Sequence, residues 1–455
     1  MHITITTKAR MLHLHRFLSS AVLSLSLIAL PALAEDGPLM TLEQALNIVR
    51  AQNLQIKNAN IQVNVVGDQT DAMRSNLYPE LSAGVRGYHN FEDNEYTFEE
   101  GSLGTVGGDP VPSSNVEIGT TDGFSTHYSI TAKQPLIQLY EINLNVDKLK
   151  LEQDIARQQL RGTRQTVSWQ VKQLYYQILS YESSMESTTS SIAFYSELAD
   201  ILEDKVAQKT ELEYQLLNAQ AKQASSNHDL VSQQNDIITS KQQLNSLLDR
   251  DISTPFSVSM AFADPLVRYT EQTAEAQALA NSPETTEARL QIKVAETNVE
   301  IQKTDYFPDL DLVASYGKSQ HTEFIPDESI YVGLFAKWDF FTWGRNDSNL
   351  SGTKRALSQA KNSLRDNEDQ IRAQISEDIR NLKVAKELIP VTILAQKAAA
   401  EKLRVSTNQY KANAILLDDL LDAESELSEA NDNFHKAELA VWNASAELEK
   451  DLGEE

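Results

Sequence analysis

The 455-residue chain has no cysteine. Disulfides are therefore excluded, and packing alone must hold the fold. A lipid anchor of the kind that acylates an N-terminal cysteine thiol is excluded as well. No Cys/His cluster has zinc-ligand spacing, and no Walker or GxSxG pattern occurs, so neither a metal, a cofactor nor an enzymatic activity is expected. Past the first 34 residues no run of eighteen apolar residues appears, so a transmembrane helix is not expected and any membrane role must come from strands. Basic residues are in deficit, 40 Lys+Arg against 65 Asp+Glu for a net charge of −25, which argues against nucleic acid as a partner. Helix breakers are also scarce. Between Pro135 and Pro255 there is no proline and one glycine, Gly162; residues 345–452 hold only Pro390 and Gly352.

What is present begins with a signal-peptide pattern over residues 1–34. Lys8, Arg10 and Arg16 precede an apolar stretch from Phe17 to Leu30, and Ala32-Leu33-Ala34 supplies small residues for cleavage. The segment carries three basic residues and no acidic one, so its removal takes the net charge from −25 to −28.

The remainder repeats itself. At an offset of 229, Ala45 meets Ala274, Ala59 meets Ala288, Val65 meets Val294 and Pro79 meets Pro308. Further on the offset is 204: Ala132-Lys133 meets Ala336-Lys337, Leu160-Arg161 meets Leu364-Arg365, and Leu216-Leu217 meets Leu420-Leu421. The change of 25 marks an insert in the first copy that is rich in glycine and proline, Gly101 to Gly123, where the second has a short turn near Pro326. Unit 1 spans 35–260 and unit 2 spans 261–455.

Each unit reads in the same order. Helical stretches at 42–78 and 271–306 end before Pro79 and Pro308, and Ser282-Pro283-Glu284 is a good helix start. Alternating segments follow, which predict four strands at about 81–97, 124–138, 309–321 and 329–343. Long tracts rich in Ala, Leu, Gln, Glu, Lys and Ser then predict helical hairpins at about 143–250 and 345–452, with coiled-coil spacing. A helix from 143 to 205 would be roughly 90 Å long at 1.5 Å per residue, too long for a compact globule.

Four strands cannot close around a lumen, since membrane barrels start at about eight. Left open they would expose two edges, which lipid forbids. Several copies are therefore needed, with the apolar strand face toward outer-membrane lipid and the polar face toward water. Three would give twelve strands.

Taken in order, the motifs resemble the TolC-like outer-membrane factor family over essentially the whole chain past residue 34. LEQALNIVRAQNLQIKNANIQV (42–63) resembles that family's opening helix pair, and LYPELSAG (77–84) and YFPDLDLVAS (306–315) its entry from proline to strand. Gln134-Pro135-Leu136, Gly344-Arg345 and LLDAESELSEANDNF (420–434) match in sequence order. The resemblance implies an α+β membrane protein with an internal duplication: a homotrimer whose twelve-stranded outer-membrane β-barrel, four strands per chain, continues as a long periplasmic coiled-coil α-helical barrel. It implies a periplasmic adaptor and an inner-membrane ABC or proton-driven transporter as partners, and export of small toxic compounds or unfolded proteins.

A duct performs no covalent chemistry, so the site to seek is its constriction. Asp418, Asp419 and Asp422 fall within about one helical turn. At offset 204 their unit 1 equivalents are Tyr214, Gln215 and Asn218, so the acids belong to one unit only. Acids also suit the positive start of a helix, and that reading stays open. The resemblance implies that Asp419 and Asp422 ring a closed periplasmic entrance and that Tyr410 helps to hold it shut; Tyr410 equally suits packing in a coiled-coil seam. Three positions depart from the family pattern. Ile415 stands where an arginine gate partner is usual, and Lys209 and Asn413 stand at hairpin tips where glycine is usual. Two rival readings remain: a dedicated type I protein-secretion duct on the same scaffold, and a structural coiled-coil adhesin. Trimeric adhesins carry their membrane strands at the C-terminus, whereas here the strands lie inside each repeat.

Overall fold

The computed structural model describes residues 37–89, 91, 95–119, 121–259, 270–322 and 326–454; the leader segment 1–34 and the boundary between units at 260/261 lie outside them. The chain begins with β1 (Leu39–Met40), α1 (Leu42–Gln52), α2 (Leu54–Ser75) and β2 (Glu80–His89). Four short strands follow, β3 (Glu95–Phe98), β4 (Thr105–Val106), β5 (Asp109–Pro110) and β6 (Val116–Gly119), then β7 (Thr121–Pro135), α3 (Leu139–Ala207) and α4 (Glu213–Leu247). After β8 (Ser257–Val258), which pairs in parallel with β1, come α5 (Glu271–Asn281), α6 (Pro283–Thr304), β9 (Asp309–Thr322), β10 (Glu328–Lys337), α7 (Arg345–Lys411) and α8 (Leu417–Asp451).

The two halves start alike because their caps are alike. The hydroxyls of Thr41 and Thr270 accept hydrogen bonds from the backbone N–H groups of Gln44 and Thr273, three residues on, and both side chains reply to the cap's own N–H. Ala45 and Val49 in α1, and Ala274 and Ala278 in α5, are fully buried against the long helices. The helical stretches at 42–78 and 271–306 are each two helices. Asn53 and Ser282 leave the helical conformation, and their side chains cap α2 and α6.

The main sheet has the order β10-β9-β7-β2, all antiparallel. Two of its strands, β2 and β10, are shorter than the alternation in the sequence suggests. Pairing of β2 ends at His89, and residues 95–98 join a separate ribbon with β6. Pro135, without an N–H, closes β7, and Leu136 leads into a turn toward α3. The aromatic stretch Trp338–Trp343 lies beyond the end of β10.

At 69 and 67 residues, α3 and α7 are each about 100 Å long at 1.5 Å per residue. They fold back on α4 and α8 respectively, and α3 also packs along α8. The four long helices therefore run side by side as α4-α3-α8-α7, with α4 and α7 at the outer flanks.

Candidate functional site

Both hairpin tips close the same way. At the end of α3, the Thr210 N–H donates to the Lys205 carbonyl and the Lys209 N–H to the Val206 carbonyl; at the end of α7, Ala414 and Asn413 donate to Gln409 and Tyr410. Such a turn needs a left-handed residue, and Lys209 (φ 57°) and Asn413 (φ 51°) supply it. The tip glycines missing from the sequence thus leave the turn geometry intact.

Above the tips lies an apolar cluster of Tyr195, Leu198 and Leu202 from α3, Ala219 from α4, and Tyr410, Leu417, Leu420 and Leu421 from the second hairpin. Ile415 packs against it, so this position fills space and offers no charge to the acids. Tyr410 is buried, and the Lys205 ammonium sits 4.6 Å from its ring centroid, joining the two tips. Its hydroxyl has no hydrogen-bond partner among the described residues, and burial followed by the nearby Glu211 raises its pKa.

Asp418, Asp419 and Asp422 are all exposed. Asp419 stands at the third position of α8, where its Oδ2 accepts the Leu416 N–H at 3.2 Å. That contact is half of a capping box, because leucine has no acceptor to return. The acids at the start of α8 therefore do serve the helix. Capping occupies one oxygen of Asp419 and none of Asp422. In unit 1, Tyr214 is exposed, Asn218 is half-buried and Gln215 is buried.

Glu424 went unnoticed in the sequence. It is 3% exposed and faces Ser191 and Tyr195 of α3. Burial raises its pKa while the Ser191 hydroxyl opposes the shift, and Tyr195, through its own burial and this carboxyl, is pushed up to about 12. The sequence signal was weak: Glu424 lies seven residues after the buried Leu417, but the same heptad position is polar further on, at Asn431 and Glu438.

The sheet divides into two faces. Leu81, Ala83 and Val85 of β2 stand opposite Ala132, Ile130 and Tyr128 of β7, which stand beside Ala314, Tyr316 and Lys318 of β9; Ala314 and Tyr316 meet Val332 and Ile330 of β10. This face is almost wholly apolar and exposed. The other is polar, with His127 on Ser319 and Thr131 on Ser315, both at 3.0 Å, and Lys133 paired with Asp311 at 3.0 Å. A Cβ on Gly317 would lie 2.9 Å from the Ser329 Oγ and 3.0 Å from the His127 ring, so a larger residue would push these side chains aside.

The flanks are open. In the main sheet β2 and β10 each have one neighbour. Along α4, Leu217, Ala224, Val231 and Ile238 recur every seven residues and are exposed; Val384, Val391, Ala398 and Val405 do the same along α7. A seven-residue apolar repeat is a coiled-coil seam, and among the described residues both stripes stay exposed.

A family model described as outer membrane efflux protein matches residues 45–250 and 276–454. No curated protein matches the sequence. Among solved structures, the outer membrane protein VceC from Vibrio cholerae is similar with a TM-score of 0.74 at 15% identity, covering 91% of this chain and 96% of that one. The Campylobacter jejuni CmeC outer membrane channel gives 0.75 at 14%, covering 90% and 85%. The open state of the Neisseria gonorrhoeae MtrE outer membrane channel gives 0.72 at 17%, covering 91% and 89%. At these identities the likeness is one of fold.

Proposed function

This chain belongs to the outer membrane efflux protein family, and from that premise we propose that three copies close into the outer-membrane exit duct of a tripartite export system. The observation that carries the proposal is the pair of open flanks: a free edge on each side of the sheet and an apolar seven-residue stripe on each outer helix. A head-to-tail ring mates β10 with the next copy's β2, and α7 with its α4, leaving no edge in lipid. Twelve strands then form the barrel, apolar face outward, and the long helices continue it as a periplasmic tube. An adaptor and an ABC or proton-driven transporter deliver small toxic compounds or unfolded proteins to its inner end.

The internal repeat gives the register between copies. Within one chain, Ser187 of α3 meets His435 of α8 at 3.3 Å. At offset 204 these become Val391 of α7 and Val231 of α4. The contact that α3 makes with α8 is thus the one that α7 makes with α4 of the next copy, and valines meet there. With no native cysteine, the test is clean: oxidise the Val231→Cys/Val391→Cys chain in membranes. A disulfide ladder ending at three supports the ring. The Val231→Cys/Val384→Cys chain, displaced by about 10 Å along the helix, stays monomeric. Equal cross-linking by both, or by neither, overturns this arrangement.

At the inner end, Asp419 and Asp422 of each copy form a cation-attracting ring, with Asp418 beside them and Tyr410 holding the tips together. In planar bilayers the Asp419→Ala/Asp422→Ala chain loses its preference for cations and changes conductance. Unchanged selectivity and conductance would sink the gate assignment.

A further inference from the structure

The repeat exposes a second place where the halves differ, at Asp378 of α7, 35 residues before Asn413 at the tip. Ile375, Leu382, Leu448 and Leu452 are buried, as are their unit 1 equivalents Val171, Ile178, Leu244 and Leu248. In the midst of this shared apolar seam, unit 1 has Leu174 and Leu247, both packed on its core. Unit 2 has Asp378 and Asp451 at these positions. Two leucines have been exchanged for two carboxyls that face each other.

Asp378 is 2% exposed. Its Oδ1 accepts the Gln374 amide at 2.8 Å, and among the described residues no amide or hydroxyl donor reaches Oδ2, which is left to the Asp451 carboxyl. Asp451 has a cation of its own, Lys450 at 3.1 Å, whose ammonium also lies 5.0 Å from the Trp169 ring centroid on α3. Among the described residues no cation is paired with Asp378. From α8 it faces Glu447 besides Asp451. α5 offers Ala274 and Ala278, and its Glu271 is occupied by Ser376 of α7. α6 offers Glu284 across a polar cavity of about 270 Å³ that Asp451, Lys450 and Gln374 also line. On α3, Gln165 is neutral and Lys172 is held by Glu449 at 2.6 Å. Two carboxylates in contact inside a seam cannot both be ionised.

We propose that Asp378 carries a proton and donates it to the Asp451 carboxylate, making an acid–carboxylate clasp that fastens the end of α8 to the middle of α7 and loosens when the proton leaves. The helix so held is the one that carries Asp418, Asp419 and Asp422 at its other end. Burial, with the repulsion of Asp451 and Glu447 added, pushes the Asp378 pKa up to about 7. The folded chain thus keeps a proton that an unfolded chain sheds near the ordinary carboxylate value. The stability that Asp378 contributes through this proton is lost as pH rises through about 7.

Hydrogen exchange of the full-length chain, read by mass spectrometry and corrected for the intrinsic pH dependence of exchange, tests this. Between pH 5.5 and 8, protection of residues 444–452 falls by at least about tenfold relative to residues 240–248, their counterpart in unit 1, where Leu247 stands in place of Asp451. In Asp378→Leu/Asp451→Leu, which restores the unit 1 contact, the ratio is constant. Asp378→Asn still donates to Asp451 but cannot titrate; it too abolishes the pH dependence and covers the case in which the double variant misfolds. A constant ratio in the unmodified chain, or an undiminished fall in Asp378→Asn, overturns the clasp. The readout is local protection and not conductance, so the result is independent of the gate at Asp419 and Asp422.

Discussion

The left-handed residues that end the four long helices hold the clearest residue-scale lesson. Lys209, Asp249, Asn413 and Gly453 stand at equivalent positions, two in each unit, and each takes a positive φ. Only Gly453 requires its residue type for space: a Cβ there would lie 2.8 Å from the Asn281 Cβ and 2.9 Å from its carbonyl oxygen. Lys209 is exposed and bears the cost of its backbone with no such constraint. Lys209→Gly is therefore expected to stabilise the first hairpin by about 1 kcal/mol, and Gly453→Ala to destabilise the chain by at least as much. Thermal midpoints of the purified variants should move in opposite directions. If Lys209→Gly lowers the midpoint, the lysine side chain contributes to the tip in a way that its backbone does not reveal. The sequence made these sites visible only as missing glycines; that Lys and Asn would still adopt the turn follows from the paired carbonyls waiting at Lys205 and Val206, and at Gln409 and Tyr410.

At the scale of elements, the long helices and the alternating strands were legible because their periods are strong and their breakers few. Strand ends were not, because the alternation continues past His89 and Lys337 into residues that pair elsewhere or not at all. The seam between α3 and α8 was less legible still. It mixes apolar and polar positions, and Glu424 is a buried charged residue within it. Burial raises its pKa, so the folded chain holds the proton over a range in which the unfolded chain has lost it. Its contribution is complete below the ordinary glutamate value and is lost as pH rises through the raised one. Glu424→Gln keeps a partner for Ser191 and removes the titration. That variant should match the unmodified chain at pH 4 and exceed its stability at pH 8 by on the order of 1 kcal/mol. Parallel denaturation curves with the same pH slope in both chains would show that the carboxyl is more solvated than its position in the seam implies.

For the molecule as a whole, the duplication supplies the frame and its exceptions supply the specificity. The shared residues, such as Ala45 with Ala274 and Leu248 with Leu452, are buried and build the scaffold. The unshared ones gather at three levels: the ribbon between β2 and β7, the clasp at Asp378 and Asp451, and the acids at the start of α8. The ribbon bears on assembly. Its strands β3 with β6 and β4 with β5 pair among themselves, outside the main sheet, and Leu103 and Val106 are exposed. From residue 90 to 123 it has Glu and Asp at eight positions and no Lys, Arg or His. A ring closed by β10, β2, α7 and α4 owes nothing to this segment. Replacing residues 95–119 by a short turn should therefore leave the unfolding free energy within about 0.5 kcal/mol, the usual range for surface changes. It should likewise leave the three-rung ladder of the Val231→Cys/Val391→Cys chain intact. What should change is the permeation of cations at low ionic strength, because the replacement removes five of these acids, Glu95, Glu99, Glu100, Asp109 and Glu117, which in the proposed duct would concentrate counter-ions at one mouth, and that effect should fade as salt shortens the Debye length to about 8 Å at 0.15 M. If the shortened chain instead fails to form trimers, the ribbon joins neighbouring copies, and the open flanks of the sheet and helices are insufficient to close the ring.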